Sequence, residues 1–224
     1  MRPNMNNRER LRQRRKELQR KKTLTFILVS LAAVGLIASA VFLPNILSGR
    51  STHAYLEGFT MGDPDAPVKV TNFSSYACGF CGEFSENVEP GFIEQYVETG
   101  DVYYRYVNIP GNDGPSLLAA EASYCAAEQQ GFFNYKRFLY ANVRMIDGFS
   151  EENLLAYAGT SGLDVDIFQA CMADNTYTNA YRQDIRYAQS VGVTATPVFL
   201  VNDQLVFSSD LINLVDSLLA RVEN

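Results

Sequence analysis

Three segments of this chain are rich in the residues that favour β-strands, and turn-forming residues bound each of them. They are residues 68–73, 102–109 and 197–201, with Val, Ile, Phe and Tyr predominating. Asn202-Asp203 predicts a hairpin turn into a fourth short strand over residues 205–207. The pattern therefore predicts a sheet built from these four strands.

Helical spacing of apolar residues occupies most of the remaining body. Residues 82–99 carry apolar side chains every three to four positions, and Pro90-Gly91 should kink or split this helix. A helical block follows over about residues 116–190, and residues 211–222 predict a final amphipathic helix with Asp210 as its cap. Two further N-caps are predicted inside the block, at Ser150 and Asp164.

The order of these elements predicts an α/β fold. The first two strands are joined through a helix and should run parallel, whereas the last two form an antiparallel hairpin. Helices then flank a central mixed sheet on both faces, and the helical block interrupts it as an inserted subdomain at about residues 115–190. We therefore predict one domain over residues 57–224.

Charge divides the 224-residue chain into a basic head and an acidic body. Residues 1–22 hold ten Lys or Arg and two Glu, although the whole chain has a net charge of −6. Residues 23–49 carry no charge, and a transmembrane helix over residues 23–43 would be about 31 Å long, close to a bilayer core of about 30 Å. Because Lys and Arg flanks stay cytoplasmic, we predict a single-pass cell-membrane protein with a cytoplasmic N-terminus, a tether at residues 44–56 and an extracytoplasmic body.

The apolar segment has a competing interpretation. Ala38-Ser39-Ala40 fits the small-residue site of a cleaved signal peptide, in which case the body would be secreted. The apolar run is longer than a usual signal sequence, which favours an uncleaved anchor. A basic flank beside an apolar span is typical of a topology signal, so we expect no nucleic-acid partner.

The candidate chemistry lies in residues 78–81, Cys-Gly-Phe-Cys, between the first strand and its helix. At a helix start this spacing brings the two sulfurs together, with Cys78 at the mouth and Cys81 beneath it. The free N–H groups and partial positive charge of the helix N-terminus favour the thiolate, the form that attacks or leaves in disulfide exchange. We therefore expect Cys78 to be the attacking sulfur, Cys81 the resolving sulfur, and Phe80 to be exposed between them.

A zinc site and an inert disulfide are the competing interpretations of this pair. Zinc would need two further ligands, whereas Cys125 and Cys171 are isolated and the single histidine, His53, lies in the tether. A disulfide across three positions would close a small ring and staple little chain. The position between a strand and a helix favours redox chemistry without a metal or a bound cofactor.

Three motifs together resemble the DsbA-like thiol-disulfide oxidoreductases of the thioredoxin superfamily, over roughly residues 55–224. They are Asp65-Ala66-Pro67-Val68, the Cys-Gly-Phe-Cys segment with Gly82-Glu83-Phe84 after it, and Thr194-Ala195-Thr196-Pro197-Val198-Phe199. The resemblance implies a thioredoxin fold, a cis proline at Pro197 beside the dithiol, and docking of the substrate chain on the backbone of Thr196. We also place Phe80 in the substrate site.

The chain departs from the pattern of this family at three positions. Gly79-Phe80 stands where strongly oxidising members have Pro-His, and Asn72 stands six positions before Cys78, where many members have an acidic residue under the resolving thiol. Asn72 cannot accept a proton, so the sequence leaves the strength of this oxidant open. Ala195 replaces a frequent glycine, and we expect little effect from that change.

Cys125 and Cys171 lie on apolar faces of the helical block. In an oxidising compartment an even number of cysteines favours a structural disulfide between them, and two buried free thiols are the alternative. Such a bridge would close a loop of about 46 residues and stabilise the fold by roughly 4 kcal/mol.

These features predict extracytoplasmic thiol-disulfide exchange that oxidises cysteine-containing protein substrates. A membrane partner, linked to quinone, would then reoxidise the dithiol. A disulfide reductase or isomerase fed by a membrane electron donor would use the same residues with the opposite electron flow. The alternative from another class is a membrane-tethered binding or chaperone module with a structural Cys-x-x-Cys.

Overall fold

The structure is a computed structural model that describes residues 58–222. The predicted basic head, transmembrane helix and tether, residues 1–56, lie outside the described residues. Between residues 58 and 222, the helices are all too short or too polar to cross a membrane.

Five strands form one sheet in the order β1-β3-β2-β4-β5. In chain order they are β1 Thr60–Met61, β2 Val68–Ser74, β3 Val102–Asn108, β4 Val198–Val201 and β5 Gln204–Phe207. The prediction of a mixed sheet is confirmed, because β2 and β3 run parallel whereas β4 is antiparallel to β2 and to β5. The pattern does not predict β1, an antiparallel neighbour of β3, because two residues show no alternation.

Eight α-helices accompany the sheet in the described part of the chain. They are α1 Gly79–Asn87, α2 Glu89–Phe92, α3 Gly114–Glu128, α4 Phe132–Ala141, α5 Glu151–Thr160, α6 Val165–Asp174, α7 Thr178–Ser190 and α8 Ser208–Val222. A π-helical segment, Ile93–Val97, continues α2. Helices α3 to α7 occupy the region predicted as the helical insertion.

The first helical region begins earlier than predicted and is split as predicted. It starts at Gly79, because Cys78 caps it, and Val88 separates α1 from α2. Pro90 lies in the first turn of α2, where its missing N–H would have no intrahelical partner in any case. The split therefore places a helix boundary where proline is tolerated.

The predicted helix caps are confirmed at two positions and wrong at a third. Ser150 caps α5 and Asp164 caps α6 through their side-chain oxygens. The last helix begins at Ser208, so Asp210 lies inside its first turn rather than at its cap. A carboxylate in the first turn still interacts favourably with the positive end of the helix.

Helices pack on both faces of the sheet, as predicted. On one face, Phe84 of α1 and Leu211 of α8 pack with strand residues such as Val70. On the other face, Ala188 of α7 packs against Phe73 and its neighbours. The insertion helices enclose a further core, which also receives Tyr76, Tyr106 and Cys81. The Cys-x-x-Cys segment thus lies where the sheet meets the insertion.

Candidate active site

Cys78 is the N-cap of α1 and follows shortly after the end of β2. Its backbone is extended, with φ −100° and ψ 114°, and its Sγ accepts a hydrogen bond from the backbone N–H of Cys81 at 3.3 Å. The sulfur therefore takes the position in which Ser, Thr, Asp or Asn oxygens ordinarily cap helices. The first turn of α1 holds no acidic residue, and the sulfur lies at the end of the helix that carries the partial positive charge.

The two sulfurs differ in exposure. Cys78 is half-buried, whereas Cys81 is only 1% exposed, and neither is in a disulfide in the structure. Burial, together with the neighbouring Cys78, raises the pKa of Cys81 to about 12. Cys81 therefore holds its proton at neutral pH when the pair is reduced, while Cys78 is the sulfur that a large substrate can reach.

Thr196 and Pro197 lie directly beside the reactive sulfur. The peptide bond between them is cis, and the Cys78 thiol donates a hydrogen bond to the Thr196 carbonyl oxygen at 3.3 Å. Phe80, between the two cysteines, is 73% exposed. The structure thus brings Thr196 to Cys78 across 118 positions of sequence. Of the other three residues proposed for catalysis and substrate binding, Phe80 is exposed, whereas Cys81 and Pro197 are buried.

Glu89 is a buried carboxylate near Asn72, and the sequence does not predict it. Asn72 Nδ2 donates to the Tyr104 hydroxyl at 2.7 Å, and that hydroxyl donates to Glu89 Oε1 at 2.8 Å. Lys136 of α4 donates to the other Glu89 oxygen and to Ser85. Asn72 is therefore linked to a carboxylate through one tyrosine, although it carries none itself.

The Glu89–Lys136 ion pair is almost fully buried, with side chains 4% and 1% exposed. Burial lowers the pKa of Lys136, and the adjacent Glu89 carboxylate opposes that change. Both residues line a cavity of about 690 Å³ between α1–α2 and α4, together with Phe133 and Phe138. The pair thus joins the inserted helices to the helix that follows the dithiol.

Glu83 and Arg144 form an exposed ion pair next to the Cys-x-x-Cys segment. Arg144 Nη2 lies 3.6 Å from Glu83 Oε1, and both side chains are mostly in solvent. The same Nη2 lies 3.9 Å from the position that a Cβ on Gly79 would occupy. Arg144 therefore brings a positive charge to the rim of the dithiol, while Glu83 faces solvent.

Cys125 of α3 and Cys171 of α6 form a disulfide inside the insertion, with 5.8 Å between their Cα atoms. The bridge joins two helices of the insertion and involves neither Cys78 nor Cys81. Among residues 58–222, no three His, Cys, Asp or Glu side chains are grouped so that they could hold a metal ion.

The two sulfurs differ strongly in exposure, and they lie on the helix that follows the central strand of a mixed sheet. These features define the class of thioredoxin-fold thiol-disulfide oxidoreductases. Comparison with known families gives the same result. The model of the thioredoxin family matches residues 55–218, and the chain belongs to that family.

Similar proteins and structures narrow the class. A probable disulfide bond formation protein D of Bacillus anthracis is 26% identical over 188 residues, which cover 81% of this chain and 87% of that protein. The crystal structure of oxidised BdbD from Bacillus subtilis has a TM-score of 0.64 at 22% identity and covers 75% of this chain and 96% of that one. The structure of α-DsbA1 from Wolbachia pipientis has a TM-score of 0.59 at 27% identity, covering 72% and 90%.

A relative of another kind matches only in part. The Na(+)/H(+) antiporter NhaA 3 of Salinispora tropica is 33% identical over 143 residues, and the chain spans about a fifth of its length, 21%.

The site geometry and the disulfide bond formation relatives together identify the chain as a protein-disulfide oxidoreductase.

Proposed function

We propose that this protein oxidises cysteine pairs of protein substrates outside the cytoplasm, with the Cys78–Cys81 disulfide as the oxidant. The observation that carries the proposal is the unequal exposure of the two sulfurs at the start of α1. The relatives from Bacillus anthracis and Bacillus subtilis, both named for disulfide bond formation, support the oxidising direction.

The reaction follows from the positions of the two sulfurs. A substrate thiolate attacks Cys78 Sγ, the Cys78–Cys81 bond breaks, and its electron pair goes to Cys81, which takes up a proton. A second substrate thiolate then attacks the substrate sulfur of the mixed disulfide and releases Cys78 as a thiolate. The substrate gains a disulfide and the enzyme becomes a dithiol. The Thr196 backbone, beside Cys78, is where the substrate chain would dock.

The cellular setting is part of the same proposal. The basic residues 1–22 and the apolar residues 23–43 support a membrane anchor with the catalytic body outside. A disulfide between Cys125 and Cys171 fits an oxidising compartment. A membrane protein linked to quinone would return the dithiol to the disulfide after each turnover.

Equilibration of the full chain with glutathione buffers tests the direction. A reduction potential near about −120 mV would support an oxidase, whereas one near about −270 mV, the range of thioredoxin, would contradict it and support a reductase. A binding or chaperone module would still hold an unfolded protein after Cys78 and Cys81 are both changed to Ala, and an oxidoreductase would lose its activity.

A membrane-impermeant maleimide tests the location. Applied to intact cells that express the full chain, after a membrane-impermeant phosphine has reduced the disulfide, it should label Cys78 when the body lies outside the cytoplasm. Cys78→Ser is the matched control that should remove the label. Labelling only after the cells are lysed would place the body inside and contradict the proposal.

A further inference from the structure

Helix α4 and the turn after it carry three residues spaced four positions apart, Lys136, Tyr140 and Arg144. The first and the last of them contact the helices that follow the dithiol. Lys136, at one end of the series, pairs with Glu89, and Arg144, just past the other end of α4, pairs with Glu83. Residues four apart share one face of a helix. Tyr140, on the same face of α4 as Lys136, therefore faces α1, and it meets that helix at Gly82, next to Cys81.

Close packing brings Tyr140 against the start of α1. Its Cδ1 lies 3.6 Å from the position that a Cβ on Gly82 would occupy, and Gly82 directly follows Cys81. Tyr140 is 7% exposed and belongs to the same buried cluster as Cys81. A Cβ at residue 82 would be in ordinary van der Waals contact with Tyr140, which shows how near the two helices lie.

The Tyr140 hydroxyl belongs to a group of buried hydrogen-bond donors. It lies 2.6 Å from the Tyr106 hydroxyl, and Ser74 is a further hydrogen-bonding neighbour. The Tyr76 ring packs on both tyrosines, with centroids 5.3 Å and 6.0 Å away, and its buried hydroxyl has the Ser123 and Tyr106 side chains as neighbours. Each of the three hydroxyls carries one proton, and the hydrogen bond between Tyr106 and Tyr140 uses one of them.

We propose that Tyr140, held in place by Tyr106, donates a hydrogen bond to the sulfur of Cys81 as the disulfide opens. Asn72 places an amide on β2, and the buried Glu89 carboxylate is paired with Lys136, so the proposed partner of the leaving sulfur is a neutral hydroxyl. The proposal rests on thiol-disulfide exchange at Cys78 and Cys81, and it holds for either direction of electron flow.

The chemistry requires Tyr140 to stay protonated throughout. Burial raises its pKa well above its ordinary value, and charge on Cys81 raises it further. When substrate thiolate bonds to Cys78, the electron pair of the broken bond goes to Cys81, and the proton that Cys81 finally holds is one lost by the substrate thiols. The second proton goes to water, and Tyr140 ends unchanged.

The other titratable groups around Cys81 belong to the elements packed on it. Cys78 is its partner, Tyr76 and Tyr106 come from the sheet side, and Lys136 Nζ lies 5.8 Å from the Tyr140 ring centroid. The Glu89 carboxylate neutralises Lys136. The Ser75 backbone and the Thr196 side chain hydrogen-bond Cys81 and lower its pKa, and a Tyr140 hydroxyl would add a further donor to the new thiolate.

Tyr140→Phe in the full chain tests the proposal, with Tyr135→Phe as the matched control. Tyr135 lies on the same helix, is buried, and donates its hydroxyl to the Leu154 carbonyl at 3.1 Å. Glutathione should open the disulfide of the Tyr140→Phe variant about tenfold more slowly than that of the wild type, because a hydrogen bond to a charged group is lost. Closure from the mixed disulfide should slow by a similar factor, so the redox equilibrium constant moves less than about threefold.

A purely structural role for Tyr140 gives a different result. Loss of packing would lower the unfolding free energy of both variants without slowing opening and closure together. Opening rates of Tyr140→Phe within twofold of the wild type, or equal slowing in Tyr135→Phe, would overturn the inference. If Tyr140→Phe does not fold, Tyr106→Phe replaces it, with an expected slowing of about threefold. A wild-type chain that exchanges no disulfide would instead refute the proposed function.

Discussion

The two cysteine pairs of this protein use the same side chain in two different surroundings. Cys78 and Cys81 lie three positions apart at one helix start, unbonded, with one sulfur half-buried and the other almost inaccessible. Cys125 and Cys171 lie 46 positions apart on two helices and are bonded to each other inside the insertion. The position of each pair in the fold therefore determines its role. One pair is placed for disulfide exchange, and the other cross-links two helices.

The two cysteine pairs differ mainly in the backbone groups that hydrogen-bond to their sulfurs. Cys78 Sγ accepts from the N–H of Cys81 at the helix start and donates to the Thr196 carbonyl, so backbone groups fix its orientation. Cys125 is 1% exposed in a core of helix faces, where no substrate chain can reach its sulfur. Four changes break or sharpen this comparison, from the largest expected effect to the smallest.

Cys78→Ser should remove exchange activity almost entirely, by at least about a thousandfold, because the attacked sulfur is lost. Serine is itself a good helix cap, so the unfolding free energy should change by less than about 1 kcal/mol. The rate of disulfide formation in a reduced multi-disulfide protein measures the first effect, and urea unfolding measures the second. Substantial activity in this variant would show that the comparison assigns the wrong pair to catalysis.

Lys136→Met tests whether the buried ion pair holds the insertion to the rest of the fold. The change leaves Glu89 buried without its cation, which should lower the free energy of unfolding by about 3–5 kcal/mol. Adding Glu89→Gln should restore a large part of that loss, and urea unfolding of both variants measures it. A cost below about 1 kcal/mol for the single change would contradict a buried ion pair.

Changing both Cys125 and Cys171 to Ala should lower the unfolding free energy by about 2–4 kcal/mol, because the unfolded chain loses a long closed loop. Exchange activity at 25 °C should stay within twofold of the wild type, since neither sulfur contacts the dithiol. Urea unfolding and the same oxidation assay give both values. A loss of activity comparable to that of Cys78→Ser would instead make this pair an electron relay.

Asp113→Ala compares an ordinary oxygen cap with the sulfur cap of α1. Asp113 caps α3, the helix that carries Cys125, and its carboxylate accepts from the Ser116 N–H at 2.9 Å. The change should cost about 1 kcal/mol at pH 7. Hydrogen bonds from the Ser116 backbone and side chain lower the pKa of Asp113.

That lowered pKa fixes the pH dependence of the Asp113 contribution. The folded state holds the carboxylate ionised more strongly than the unfolded state, so the contribution is full above the ordinary Asp pKa of about 3.9. It is lost as the pH falls through the lower, folded-state pKa. Unfolding of both chains at pH 7 and near pH 3 measures this, and a difference that grows in acid would contradict it.

The sequence predicts most of the sheet and the reactive pair because both depend on local patterns. Strands β2 and β3 are runs of β-branched and aromatic residues, and the Cys-x-x-Cys spacing is visible without any tertiary knowledge. Split helices are predictable in the same way, since Pro90 acts on its own backbone. The contact of Thr196 with Cys78 follows only from resemblance to a family, because the two residues are 118 positions apart.

Other features of the site depend on packing that no local pattern reveals. Glu89 and Lys136 lie 47 positions apart, and Tyr106 and Tyr140 lie 34 apart, each pair on two elements that meet only in the folded chain. A charged residue in a helical pattern predicts a solvent face, and both members of the ion pair are buried instead. The two-residue β1 and the start of α8 were beyond prediction because one or two residues carry too little periodicity.

The ion pair between Glu89 and Lys136 also bears on how freely the domain could be redesigned. A minimal version with the insertion deleted would lose Lys136 and keep Glu89. The Glu89 carboxylate would then keep its hydrogen bond from Tyr104 but have no cation to pair with. Such a truncation would need a second edit at residue 89 before its stability could be compared with that of the parent. The insertion is therefore not an independent module, because its Lys136 depends on Glu89 outside it. Grafting the insertion onto another scaffold would require an acidic residue at the matching position.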